Sequence, residues 1–282
     1  MWDAIAQRLL FVDIPTGRLF SHDPRNGRTS TTEFQHELSY GHPAVGGGLV
    51  VAVREGVAMV RDGSLRMLAA PLAESPGARM NDANVDPRGR LLVGTMAYDF
   101  ADGAGRLYRL DTDGQLTTVL TDVTISNGID WSPDGATAYY VDSPTLRIDT
   151  FDYDLDAGEL SRRREFATIE DGAGLPDGLT VDAEGGVWVA LYGGGQVRRF
   201  TAAGALDLIV EVPGARLVTS CCFGGPELDQ LYISTSRENL TAEQLRSQPG
   251  AGHIFSARTG HRGRPVTLFG ASASGPTIQE GV

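Results

Sequence analysis

Pro176-Asp177-Gly178, the turn Asp182-Ala183-Glu184-Gly185 and the apolar run from Val187-Trp188-Val189 to Leu191 follow one another as a unit whose recurrence decides the fold. Ser126-Asn127-Gly128 stands in the same way before Ser132-Pro133-Asp134-Gly135 and the run from Tyr139 to Ser143. Arg79-Met80-Asn81-Asp82 precedes Asp86-Pro87-Arg88-Gly89 and the run from Leu91 to Thr95. In such turns Pro sets φ and Gly takes the positive φ. The apolar signal also occurs at Leu10-Phe11-Val12, Leu49-Val50-Val51 and Leu231-Tyr232-Ile233. The interval is roughly 40 to 48 residues, the period of four-stranded blades. Six copies predict an all-β, six-bladed β-propeller, with residues 1–282 as one domain. Further strands are expected at Arg18 to His22, Arg106 to Leu110, Arg147 to Tyr153, Gln196 to Phe200 and His253 to Ser256. One short helix is expected at Thr241 to Gln248, with Thr241 as its N-cap. A β-sandwich or a two-domain β protein predicts no six near-equal periods, and no Pro/Gly/Ser-rich linker divides the chain.

Composition narrows the function. Net charge is −12, from 36 acids against 24 bases, without charged runs. That balance argues against nucleic acid or an anionic membrane as partner. Every one of the 24 bases is arginine, so Schiff-base catalysis and a lysine-bearing P-loop are excluded. No apolar run is long enough to span a membrane, and Met1-Trp2-Asp3 carries no signal-peptide pattern, so a cytoplasmic location is expected. Cys221 and Cys222 are adjacent and should point to opposite faces of a strand, which argues against a disulfide framework and reads as reduced core residues. His22, His36, His42, His253 and His261 have no ligand spacing and are expected mostly on the surface or in turns. There is no G-x-S-x-G nucleophile elbow, and Gly46 to Gly48 and Gly193 to Gly195 read as blade turns.

The three polar clusters each offer a carboxylate or amide oxygen at the same offset before a strand. They are expected to be loops that converge on the propeller axis and build a metal site there. Oxygen ligands of this kind suit Ca²⁺, Mg²⁺ or Mn²⁺, and Zn²⁺ can occupy such a site. Singly, Asn-Gly and Asp-Gly are ordinary turn dipeptides, and Asn81-Asp82 could cap a loop.

In these residues the chain resembles the family of senescence marker protein (regucalcin), gluconolactonase and luciferin-regenerating enzyme. The resemblance runs from Trp2 to about Ile254. It is carried by Leu9-Leu10-Phe11-Val12-Asp13-Ile14-Pro15, Arg79-Met80-Asn81-Asp82, Gly94-Thr95-Met96, Ile125-Ser126-Asn127-Gly128, Phe151-Asp152-Tyr153-Asp154, Pro176-Asp177-Gly178 and Thr219-Ser220-Cys221-Cys222-Phe223-Gly224-Gly225. It implies one divalent cation (Ca, Zn, Mn or Mg) in the central channel and a small sugar-acid lactone as substrate. It further implies Asn127 and Asp177 as direct metal ligands, with Asn81 reaching the metal through water and also contacting substrate. Arg79 matches a substrate-binding arginine and Met96 a residue lining the pocket.

Two departures from the family pattern stand out. The family places a glutamate ligand a few residues before the tryptophan that Trp2 matches, where this chain has Met1 in the place of a valine. The glutamate and a ring-closing N-terminal strand are therefore expected to be missing, with weaker cation binding as the consequence. Because a GTG valine codon also serves as a start, Met1 is read as a misplaced start, with Gly-Glu-x-Pro expected upstream in frame. The second departure is at Tyr98 to Gly105, where the family often has a longer lid; Asp99 and Asp102 are the nearest carboxylates.

The expected reaction is metal-assisted attack of water on a lactone carbonyl, with Asp177 as general base or as the group orienting the water. Two alternatives stay open: a non-catalytic calcium- or ligand-binding propeller, and an esterase or phosphotriesterase-like hydrolase on the same scaffold.

Overall fold

A computed structural model describes residues 1–270. Its strands form six antiparallel sheets, each made of strands consecutive in the chain, arranged as the blades of a β-propeller. Five sheets have four strands, and among the described residues the sixth has three. The inner strands are Trp2–Asp3, Leu38–Pro43, Ala78–Val85, Ser126–Trp131, Leu175–Val181 and Val218–Gly224 for blades I to VI. Ring closure is aromatic: Trp2 stacks on Tyr232 of blade VI at 5.9 Å. There Gly224 leaves room for the indole, since a Cβ on it would lie 2.8 Å from the ring.

The apolar runs are the second strands. Leu91–Ala97 and Thr137–Asp142 are buried almost throughout, as is Val187–Tyr192 up to its last residue. A strand covered on both faces by neighbouring blades reads as a continuous apolar run rather than an alternation. Clusters such as Val50, Val57, Leu91, Val93 and Leu110 join blades II and III, and Tyr139, Ile148, Leu179, Val187 and Leu191 join IV and V. The predicted helix is present as Ala242–Ser247. Its Thr241 N-cap accepts from the Gln244 N–H, and the Gln244 side chain closes the capping box. Cys221 and Cys222 lie on blade VI's inner strand as free thiols. No helix among the described residues is long and apolar enough to cross a membrane.

One expectation is corrected. The polar clusters are not loops: Asn81, Asn127 and Asp177 lie within inner strands. Pro176 fits there because an inner strand is its blade's edge on the channel, where a missing N–H breaks no ladder bond. Of the histidines, expected mostly on the surface or in turns, His42 is the buried exception, 1% exposed. Its Nε2 lies 2.7 Å from the Thr267 carbonyl and its Nδ1 2.8 Å from the Tyr40 hydroxyl. A carbonyl only accepts, so Nε2 donates and Nδ1 accepts the tyrosine proton.

Thr267 belongs to a strap that leaves blade VI after Ile254–Ala257 and crosses the face bearing the turns between first and second strands. Arg262 O accepts from Ala183 N at 2.8 Å, Gly263 N donates to Leu228 O at 2.8 Å, and Phe269 N donates to Pro43 O at 3.0 Å. Arg264 donates to Trp131 O at 2.6 Å and pairs with Asp130 at 3.2 Å. The strap and the inner strands together enclose a channel cavity of about 250 Å³, lined by Tyr40, His42, Asp82, Asp130, Cys221 and Arg264 among others. The strap floors one end of the channel, and the opposite end carries the candidate site.

Candidate functional site

A repeated defect in the ladder brings the predicted residues to the channel. In blade III Ala83 pairs with Val93 and Met80 with Thr95, so Asn81 and Asp82 together face Gly94. In blade IV Asn127 and Gly128 face Val141 between the pairs Ser126–Asp142 and Ile129–Tyr140. In blade V Asp177 and Gly178 face Ala190 between Pro176–Leu191 and Leu179–Val189. Such β-bulges re-aim side chains, and Asn81, Asn127 and Asp177 occupy equivalent positions in the three blades. The following glycines serve space rather than φ. A Cβ on Gly128 would sit 2.4 Å from Leu179 N and 2.8 Å from Asp177 O, and one on Gly178 would sit 2.3 Å from Ser220 Oγ.

The side chains form a connected chain across blades III to V. Arg79 Nη1 donates to Asn81 Oδ1 at 2.7 Å and to Met80 O at 2.9 Å. Asn81 Nδ2 donates to Ser126 O and to Asn127 Oδ1, both at 2.8 Å. Asn127 Nδ2 donates to Ser143 Oγ at 2.6 Å, and Ser143 donates to Pro176 O at 2.6 Å, directly before Asp177. Met96 is buried, pairs with Arg79 along the ladder and bridges to Ile125 of blade IV, so it packs behind this row.

Electrostatics single out Asp177. Burial, reinforced by the nearby Asp82 carboxylate, pushes it well above the usual carboxylate range, and the Gly178 N–H and the Arg79 guanidinium pull it only partly back. No side chain among the described residues donates a hydrogen bond to it. Burial pushes Asp82 itself up to about 6, against the pull of the Ala83 N–H. At the mouth, burial pushes Arg79 down while Glu37, Glu238, Tyr98 and Asp177 oppose the shift. Tyr98 donates to Glu37 there, linking blades III and II.

The donor set fits a hard divalent cation in kind. A half-buried carboxylate without a side-chain hydrogen-bond donor gains from a cation beside it, and the amide oxygen of Asn127 belongs to the same row. No three His, Cys, Asp or Glu side chains gather as a metal cluster among the described residues, so the set is one carboxylate with amide oxygens. The residues missed from sequence are supports: Ser143, Asp142, whose carboxylate accepts from the Ile125 N–H at 2.9 Å, and Tyr140, which donates to Ser126 Oγ at 2.7 Å. All lie in or just after one apolar run, and only its polar ending, Asp142-Ser143, hinted at them.

Comparison with known proteins gives a consistent picture. The family model described as SMP-30/Gluconolactonase/LRE-like region matches residues 1–237. A Bacillus subtilis protein, YvrE, provisionally named a sugar lactone lactonase, is 34% identical over 274 residues, covering 96% of this chain and 94% of its own. Bovine (Bos taurus) regucalcin is 36% identical over 263 residues, covering 90% of this chain and 88% of its own. The crystal structure of an Agrobacterium tumefaciens regucalcin, described as a calcium-binding protein, superposes with a TM-score of 0.91 at 28% identity, covering 95% of this chain and 92% of that one.

Proposed function

The chain belongs to the SMP-30/gluconolactonase/LRE-like family, and from that membership we propose that it is a lactonase opening sugar-acid lactones with the help of a divalent cation. The observation that carries the proposal is the half-buried Asp177 carboxylate, which has no side-chain hydrogen-bond donor and follows directly on the Pro176 carbonyl that ends the Arg79–Asn81–Asn127–Ser143 row. Asp177 and Asn127 would hold the cation directly, with Asn81 behind them. When bound, a cation supplies Lewis-acid polarisation of the lactone carbonyl.

The protein's own groups divide the remaining work. Asp177 would take a proton from the attacking water or orient that water; burial and Asp82 raise its basicity, and a cation held beside it would lower it again. As water adds to the carbonyl carbon, its proton passes to an Asp177 oxygen. The ring C–O bond then breaks and the departing alkoxide takes the proton that Asp177 holds, giving the open hydroxy acid and restoring the carboxylate. Arg79 spends one nitrogen on Asn81 and Met80, and its Nε and Nη2 make no hydrogen bond among the described residues. Those donors are left for substrate hydroxyl or carbonyl oxygens. Asn81 has both ends of its amide engaged and serves to hold Asn127 and Arg79 in place.

The test is hydrolysis of gluconolactone by purified protein, before and after chelation and with Ca²⁺, Mg²⁺, Mn²⁺ or Zn²⁺ restored, beside p-nitrophenyl acetate and paraoxon. Lactone turnover that falls on chelation and returns with one cation is the expected result. Turnover confined to the acyl or phosphoryl esters would make it a different hydrolase. Calcium binding without any turnover would favour the second reading, a non-catalytic calcium-binding propeller, which the description of the Agrobacterium structure motivates.

A further inference from the structure

We infer that Ser143 is a positioning residue that decides which end of the Asn127 amide faces the channel and holds it in register with Asp177; the inference rests on the metal-dependent reading above. Ser143 Oγ is buried, 2.6 Å from Asn127 Nδ2 and 2.6 Å from Pro176 O. A hydroxyl has one proton, and the Pro176 carbonyl only accepts, so the proton goes to Pro176. What Ser143 offers Asn127 is a lone pair, and only the amide N–H₂ can use it. With the amide reversed, Oδ1 would face an oxygen whose proton is already committed.

A second bond, independent of Ser143, demands the same orientation. Asn81 Nδ2 donates to Ser126 O and Asn127 Oδ1. Reversal of Asn127 would set donor against donor at 2.8 Å. Asn127 Oδ1 is thereby kept toward Asn81 and its Nδ2 toward Ser143, and it is at that oxygen that the proposed cation would bind.

The hydroxyl is itself held rigidly. Ser143 N donates to Ile125 O at 3.2 Å, and the short 3₁₀ turn Ser143–Thr145 closes with Leu146 at φ 55° donating back to Ser143 O at 3.2 Å. The preceding Asp142 carboxylate grips the Thr124 and Ile125 amides. One hydroxyl thus ties the side chain of one proposed ligand in blade IV to the backbone entering the other in blade V. Partners of this kind, which touch a ligand and not the ion, commonly control metal affinity.

The experiment is calorimetric titration of the full chain with Ca²⁺ and with Mn²⁺ alone, together with thermal melting, for the parent, Ser143→Ala, Ser143→Cys and Ser143→Thr. Ala and Cys, which lack a good hydroxyl donor, are expected to lose about 10- to 100-fold in cation affinity, and Thr to stay within about 3-fold of the parent. Melting temperatures should remain close to the parent's. Parent-like affinity in Ala or Cys, or loss of affinity in a Thr variant that melts like the parent, would overturn the assignment. So would affinity lost only together with a collapse in melting temperature, which would mark Ser143 as a packing residue. If Ala fails to fold, the near-isosteric Cys decides. Asn127→Ala separates the two levels: if it binds like the parent, or if the parent binds no cation, the metal reading falls and this inference with it. If Asn127→Ala abolishes binding while Ser143→Ala does not, only the role of Ser143 is lost.

Discussion

Asn81 Nδ2 lies 2.8 Å from Asn127 Oδ1, so the two residues at equivalent bulges of adjacent blades are bonded to each other across the blade boundary. Asn81 also donates to Ser126 O at 2.8 Å and is only 8% exposed. Asn81→Asp would place a buried acceptor against two acceptors. It is expected to melt roughly 2–6 °C below Asn81→Ala, which removes the group without creating that clash. Equal melting of the two variants would show that the cross-blade bond contributes nothing.

Asp177→Asn is expected to abolish lactone turnover and to weaken cation binding while the protein melts at or above the parent temperature. The reason is that the half-buried carboxylate is raised well above its ordinary range by desolvation and by Asp82, and has no side-chain donor. Removing such a charge relieves the fold, a frequent relation between stability and function at active sites. Turnover within a few-fold of the parent would remove Asp177 from the mechanism.

Arg79→Ala should lower kcat/KM for sugar lactones by roughly 10- to 100-fold, the loss expected when a charged donor no longer meets substrate oxygens. Cation affinity should change little, because a guanidinium cannot ligate a cation. Calorimetry beside kinetics checks both halves. A parallel loss of cation affinity would show that its bond to Asn81 Oδ1 organises the site instead.

Gly128→Ala tests the close approach of blades IV and V. The new Cβ would meet backbone atoms, Leu179 N at 2.4 Å and Asp177 O at 2.8 Å, and backbone cannot swing aside. A cost of about 1–3 kcal/mol is expected, with turnover reduced because the displaced strand carries Asp177. Gly193→Ala, where the added carbon meets nothing within 4 Å, should cost only the strain of its positive φ and spare turnover. Denaturant melts of both variants make the comparison.

His42 predicts a pH dependence of stability. Burial lowers it from 6.5 to about 4, against the opposing bond to Thr267 O and with help from the N-terminal charge. The unfolded chain therefore binds the proton more readily between those values, so stability is complete above about 6.5 and is lost as pH falls toward about 4. The full effect is on the order of 3 kcal/mol. The Tyr40 hydroxyl and the Thr267 carbonyl that face the imidazole do not titrate in that window, whereas Asp82 on the same cavity, raised to about 6, adds a slope of the opposite sign to parent and variant alike. His42→Gln should remove the rise of melting temperature with pH that His42 contributes between 4 and 6.5, lowering the slope relative to the parent. Parallel curves for the two proteins would refute the assignment.

The blade repeat was legible because burial between neighbouring blades forces second strands to be apolar throughout, and that signal survives without any knowledge of pairing. The helix at Ala242–Ser247 was legible for a local reason, the Thr241 capping box. The polar clusters were visible but assigned to loops, because Asn-Gly and Asp-Gly at a bulge have the same composition as at a turn. What distinguishes them is the register against Gly94, Val141 and Ala190, which is set by a partner strand. The burial of His42 has no local signal for a similar reason: the strap that covers it lies 225 residues further along the chain.

The amino-acid sequence by itself determined the all-β propeller, the number of blades and the row of oxygen-bearing side chains in blades III to V, since each follows from short-range pattern and periodicity. Only the tertiary structure decided that those side chains bond to one another, that Ser143 stands between Asn127 and Pro176, and that Arg264 and Thr267 floor the channel. Each of these is a contact between segments far apart in the chain. A hydrogen bond of 2.6 to 2.8 Å depends on how neighbouring blades dock, and the packing of whole sheets fixes that docking to a tolerance that no local pattern encodes.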